Sequence, residues 1–343
     1  MSEINRKDTK KYMGNTYQMG GTRHYRLTDG ITDGCRCIDV NTGSGFSYTV
    51  VCDRGLDISL ASYKGTNLAF LTENMEAHPA HFDSSGIEWL RTFSAGLLTT
   101  CGPTHLGPPC EDHGEILGQH GRWTSLPAKK VCDLSDYEAG ILKITGELHD
   151  STPFGHKIAI KRSISSQLGK ASVVIEDEIT NEGGKECPFN LLYHINFGYP
   201  LLCEDAVVRV PSKECVGYDD YTNERMDEQA SIKKPDGANA EKNYMHTFGG
   251  DTQTVWIHNP ELEGGLAVAI TFDSKDLPYL TQWVLEDVKD YVLALEPANV
   301  PCESRDYLRK NSLLPFLQPG ETKKFRVEIS VISGNDEIVK KLG

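Results

Sequence analysis

The chain has 343 residues, of which 38% are hydrophobic and 24% charged, and its formal net charge is −14. This composition is that of an ordinary globular chain long enough for one large domain or two, and the negative balance argues against nucleic acid or an anionic membrane as a partner, because phosphate binding needs clustered Lys and Arg. No apolar run approaches the ~18 residues of a membrane span. Residues 1–11 lack the apolar stretch of an export signal, so a cytoplasmic location is expected. The ten cysteines are scattered without a CxxC pair and sit in apolar runs, the pattern of small buried thiols in a reducing compartment.

In chain order, short period-two runs rich in Val, Ile and aromatic residues predict strands at 35–40, 46–52, 141–148, 157–163, 172–180, 207–210, 254–257, 266–272, 291–296 and 325–331. Helical periodicity is confined to a turn or short helix at 85–93 and a frayed helix at 336–342. This is an all-β pattern, and no Pro/Ser-rich linker or charge block divides it. One large two-sheet antiparallel β-sandwich over residues 15–335 is expected, between tails at 1–14 and 336–343. Residues 73–127 form the longest loop-like stretch and hold His78, His81, His105, His113 and His120 with Trp89 and Arg91. Their aromatic and cysteine content argues for an ordered segment that lines or covers a site.

Two segments carry chemistry. In Asn190-Leu-Leu-Tyr-His-Ile-Asn-Phe-Gly-Tyr-Pro200 an extended backbone puts Leu192, His194 and Asn196 on one face and Tyr193, Ile195 and Phe197 on the other. About 100 residues later, Tyr291-Val-Leu-Ala-Leu-Glu-Pro-Ala-Asn299 ends a strand-like run in a carboxylate, with Pro297 disfavouring helix at Glu296. A histidine and a carboxylate so placed form a candidate general acid/base pair. The alternatives are a half-buried histidine bonded to backbone and a solvated strand-end carboxylate.

The His194/Asn196 segment, the late Glu296-Pro297 and the earlier His120-Gly121-Arg122 stand in the same order as in the aldose 1-epimerases, and the chain resembles that galactose mutarotase-like superfamily. Asp53-Arg-Gly-Leu-Asp-Ile58, Trp89-Leu-Arg-Thr-Phe93, Gly96-Leu-Leu-Thr-Thr-Cys-Gly102 and Glu296-Pro-Ala-Asn299 are more closely similar to a bacterial branch known mainly as a domain of unknown function. The likeness runs from about residue 16 to residue 332. It departs from well-studied members at Tyr193, where they carry Asn, and at Gly198-Tyr199-Pro200. The resemblance implies a large twisted β-sandwich with its ligand on a concave sheet face. It also implies a carbohydrate isomerase that interconverts anomers by ring opening without cofactor or metal, with Glu296 as base, His194 as acid, the two on opposite sides of the sugar ring, and His120 toward the ring oxygen. A carbohydrate-binding or regulatory protein on the same fold is the alternative.

Further candidates for sugar contact are Arg54 and Arg91, whose guanidinium forks suit hydroxyl or carboxylate groups, Asn196, Asn299, and Trp283 as a stacking platform. For Arg54 an ion pair with Asp53 or Asp57 is the open alternative. The loop histidines also admit a zinc site, but Pro79, Pro103 and Pro108 break any helix that would present them. The small-molecule partner is therefore expected to be a carbohydrate, and a homodimer remains open.

Overall fold

The computed structural model describes residues 10–238 and 240–342. Residues 1–9 of the expected N-terminal tail lie outside these, and Asn15 caps a short 3-10 turn, Thr16–Gln18. All ten segments read as strands are strands, several of them longer than expected. Among the described residues three antiparallel sheets dominate. An eight-stranded sheet has Leu266–Asp273, Thr322–Ser333, Ser172–Asn181 and Lys157–Gln167 at its centre. A six-stranded sheet runs in the order Glu214–Gly217, Lys242–Thr247, Tyr279–Glu286, Tyr291–Ala298, Leu192–Phe197, Thr99–Cys101. A five-stranded sheet is built from the first strands of the chain, Gly21–Arg26 to Thr66–Asn67.

The main core lies between the sheets. Tyr193, Ile195, Phe197, Leu293 and Leu295 of the six-stranded sheet share it with Val268, Ile270, Val173 and Ile175 of the eight-stranded sheet. The six-stranded sheet is buried on its other face too. There Leu192, Val292 and Ala298 pack beneath Phe70, Trp89, Phe93, Leu106 and Leu308. Strands covered on both faces read as continuous apolar runs, which is why 190–200 and 291–299 stand out in the sequence.

Two neighbouring strands, Lys242–Thr247 and Tyr279–Glu286, carry no such signal. Their inward positions include Lys242, His246, Gln282 and Glu286, all buried. These polar groups satisfy one another: Lys242 Nζ sits 2.8 Å from Glu286 Oε2, and the His246 ring is 3.3 Å from Gln282 Oε1. Paired polar side chains thus replace the alternating apolar pattern.

Segment 73–127 is ordered. It contains the edge strand Thr99–Cys101, a small hairpin, Cys110–Asp112 with Glu115–Leu117, and the 3-10 turn Glu88–Thr92 where a turn or short helix was expected. At the other end Asn335–Leu342 is an α-helix. It is docked rather than frayed, with Ile338 buried against Ala267, Ala269 and Ile332.

Candidate active site

On the outer face of the six-stranded sheet, four polar residues form one row across four strands. The pairs Leu192–Ala298 and Ile195–Leu295 set the register that places His194 opposite Glu296. His194 in turn faces Thr99, and Glu296 faces Thr281. All four are buried, His194 to 4% and Glu296 to 2% exposure. His194 Nε2 lies 3.3 Å from Glu296 Oε1. The two groups expected on opposite sides of a sugar ring therefore stand side by side. Pro297 does not end the strand, which runs on to Ala298.

Aromatic rings wall the pair. Phe93 and Trp283 each lie 5.5 Å from the His194 ring, centroid to centroid. His120 lies 5.9 Å away, edge-on, and itself abuts Trp89 at 4.7 Å. His120 reaches this position through a strained turn, with φ +58° followed by Gly121 at +73°. A Cβ at residue 121 would sit 2.3 Å from the His105 carbonyl oxygen, so only glycine fits here. His120 Nδ1 donates to the Leu106 carbonyl at 2.6 Å. A carbonyl only accepts, so in the neutral ring Nε2 keeps its lone pair.

Burial sets the protonation of the pair. It pushes His194 down to about 3, with His120 adding to the effect. It lifts Glu296 well above the usual carboxylate range, with Glu241 adding to that rise. Both shifts favour the uncharged forms, a protonated carboxyl beside a neutral imidazole, because a buried neutral pair is favoured over separated charges. Asn196 lies beside His194 on the same face of the strand. Its Nδ2 donates to the Gly96 and His194 carbonyls, 3.0 Å each, which fixes the amide with Oδ1 as the remaining end. Asn196 Oδ1 and His194 Nδ1 are both buried without a hydrogen-bond partner, while His194 Nε2 faces Glu296.

The remaining candidates divide. Trp283 belongs to the wall of the site. Arg91 is exposed and held by Glu88 on its own turn at 2.5 Å. Arg54 is buried and pairs with neither Asp53, which binds Arg36, nor Asp57, which binds Arg162. Its guanidinium instead donates to the Ala77 carbonyl at 2.8 Å and to Thr124 Oγ1 at 3.4 Å. Asn299 accepts from the Leu191 amide and donates to the Phe189 carbonyl, tying two chain segments together. Both side chains thus make bonds within the protein, and Arg54 Nε is left without a partner.

Of the loop histidines only His120 borders the pair. His78 caps the 3-10 turn Pro79–His81, His81 and His113 are exposed, and His105 is buried with both ring nitrogens unpartnered. No group of three or more His, Cys, Asp or Glu among the described residues could hold a metal ion. Thr99, Thr281, Phe93 and Glu241 were not singled out from the sequence. For Thr281 a period-two signal was present, since Tyr279, Thr281, Trp283 and Leu285 share a face.

The fold is that of solved galactose mutarotase-like structures. A Klebsiella pneumoniae protein described as a candidate aldose 1-epimerase is 20% identical, with a TM-score of 0.86 over 94% of this chain and 90% of its own. A galactose mutarotase-like protein from Clostridium acetobutylicum is 11% identical, with a TM-score of 0.65 over 92% and 99%. A galactose 1-epimerase from Lactobacillus acidophilus is 12% identical, with a TM-score of 0.61 over 92% and 100%. No curated protein sequence matches. The sequence model described as a domain of unknown function, DUF4432, matches residues 32–331, and the chain belongs to that family.

Proposed function

We propose that the chain interconverts the anomers of a free sugar by general acid/base ring opening at Glu296 and His194. The observation that carries this reading is the buried 3.3 Å contact between the two groups. The anomeric hydroxyl and the ring oxygen are bonded to the same carbon, so the groups that serve them have to be neighbours. The side-by-side arrangement supports this better than one spanning the ring.

In the resting pair Glu296 carries the proton and His194 Nε2 a lone pair. Ring opening starts as Glu296 donates its proton to the ring oxygen and His194 takes the proton of the anomeric hydroxyl. The bond from the anomeric carbon to the ring oxygen breaks and an aldehyde forms. Its carbon turns about the neighbouring carbon–carbon bond. The carboxylate then removes the proton from the hydroxyl that was the ring oxygen, the imidazolium returns its proton to the aldehyde oxygen, and the ring recloses on either face. This assignment exchanges the roles that the resemblance implies, in which Glu296 takes the proton of the anomeric hydroxyl and His194 protonates the ring oxygen; the exchange follows from the opposite directions in which burial shifts the two groups. His120 Nε2 is placed to accept from a sugar hydroxyl, and Trp283 offers an apolar face to the ring.

Anomer exchange read by NMR on a panel of sugars tests the proposal. Loss of a general acid or base typically costs ~10²–10⁴ in rate. Glu296→Gln and His194→Asn should each lose that much, and the double variant little more, because residues that act as a unit are not additive. Folded single variants that exchange anomers at the parent rate would falsify the assignment. A parent protein that binds sugars without accelerating exchange would favour the carbohydrate-binding alternative.

A further inference from the structure

Two carboxylates, Glu241 and Glu303, are tied to residues that wall the site. Trp283, whose ring abuts His194, donates its Nε1–H to Glu241 Oε2 at 2.9 Å. Glu241 is exposed at the start of the Lys242–Thr247 strand, so the indole links the rim to the acid/base pair. On the other side, Gly107 packs against the Glu303 backbone so closely that a Cβ there would sit 2.1 Å from the Glu303 carbonyl oxygen. The Gly107 carbonyl accepts the His120 amide at 3.0 Å. Glu303 is therefore anchored to the turn that carries His120, and its half-buried carboxyl engages Tyr218. Burial pushes the Cys302 thiol up, and Glu296, Glu303 and Glu241 add to the rise.

Glu241 adds to the rise of Glu296. Nearby arginines are engaged elsewhere. Arg305 is bound to Asp112 at 2.7 Å and Glu115 at 2.5 Å. Arg91 is held by Glu88, and Arg122 lies over the Phe82 ring at 5.5 Å.

We propose that Glu241 and Glu303 determine specificity: as paired rim carboxylates they admit sugars without an anionic group and reject sugar phosphates and uronates. The physical reason is like-charge repulsion, a repulsive element of the kind specific sites use against wrong partners. This inference rests on the sugar reading of the site and narrows its substrate class. An aldose with a protonated amino group falls on the accepted side.

The test compares glucose and galactose with their uronates, their 6-phosphates and their 2-amino counterparts, by NMR anomer exchange and by ligand-observed binding on the same samples. The parent should prefer the neutral sugar over its matched anion by on the order of 100-fold, since like-charge juxtaposition costs several kcal/mol and each tenfold is 1.4 kcal/mol. In Glu241→Gln, which keeps an acceptor for Trp283, and in Glu303→Gln, the anion-to-neutral ratio should rise about tenfold, and further in the double variant. Because Glu241 is exposed, the parent's preference should also shrink with added salt, which a purely structural role would not produce. A parent that handles uronate or phosphate as well as the neutral sugar overturns the proposal, as does a ratio unmoved by both substitutions. If no sugar is turned over but binding shows the charge preference, the specificity inference stands and the catalytic reading fails. If no sugar binds, both fail.

Discussion

Glu296 is surrounded by groups that make its charge expensive: the sheet beneath, aromatic rings above, and Glu241 at the rim. His194 lies in the same dry setting and resists protonation down to about 3. The two shifts run in opposite directions, which is how one site keeps an acid and a base ready together. The sign of the pH dependence follows. His194 takes up a second proton only as pH falls toward 3, and Glu296 loses the working proton only well above the usual carboxylate range. The kcat/KM profile should therefore be a broad plateau across neutral pH with its acid limb owned by His194 and its alkaline limb by Glu296. A carboxylate in water would give the reverse, an acid limb at Glu296. Residual activity of Glu296→Gln followed against pH decides between them: retention of the acid limb and loss of the alkaline one is expected, and the opposite pattern would overturn the resting protonation. Both residues were legible in the sequence because each interrupts an apolar strand. Their protonation was not, since the groups that bury them, Phe93, Trp283 and the His120 turn, come from distant segments.

The Leu192–Phe197 strand works on both faces. As His194 points out to the site, Tyr193 points in and donates to Asp177 Oδ2 at 2.7 Å. Asp177 is also bound by Arg162 at 2.7 Å, and Arg162 reaches Asp57 at 2.6 Å. Asp57 accepts from Thr100 through both its amide and its hydroxyl, and Thr100 pairs with Tyr193 in the sheet. This closed circuit pins the register of the two strands that carry Thr99 and His194, where a one-residue slip would turn His194 into the core. Without Asp177 the Arg162 guanidinium keeps Asp57, but its Nε and Nη2 and the Tyr193 hydroxyl lose their partner in the core, and a buried polar group left unsatisfied costs about 1–3 kcal/mol. Asp177→Ala should lose that much stability in urea unfolding, and a loss under about 1 kcal/mol would show that the circuit does not hold the strand. The alternation that sends Tyr193 inward was readable from the strand alone. The circuit was not, because Asp57, Arg162 and Asp177 come from three separate strands and meet only across the core.

At the scale of the whole molecule, the sheets separate stability from chemistry. The proposed site occupies the outer face of the six-stranded sheet, while the C-terminal helix Asn335–Leu342 packs on part of the outer face of the eight-stranded sheet, with the shared core between them. The strand pattern made the sandwich legible, since alternation and turn residues repeat through most of the chain. Strands with paired polar groups inside, such as Lys242–Thr247, were hidden because satisfied polar burial carries no hydrophobic period. The helix was legible as a helix but not as a docked one, since the partners of its apolar residues Ile338 and Leu342, among them Ala267, Ala269 and Ile332, lie on strands. Truncating Ile338 costs the transfer of the side chain plus the cavity left behind, about 2–5 kcal/mol for Ile→Ala. The small cluster here favours the lower end. Ile338→Ala should therefore lower the thermal midpoint measurably while leaving kcat and KM for anomer exchange at parent values, because no element links the helix to the His194–Glu296 row except the core, which the substitution does not touch. Calorimetry and NMR exchange on one preparation make the comparison direct. A loss of activity without a loss of stability would mean that the two faces are coupled through the core, and that the site depends on packing well beyond its own sheet.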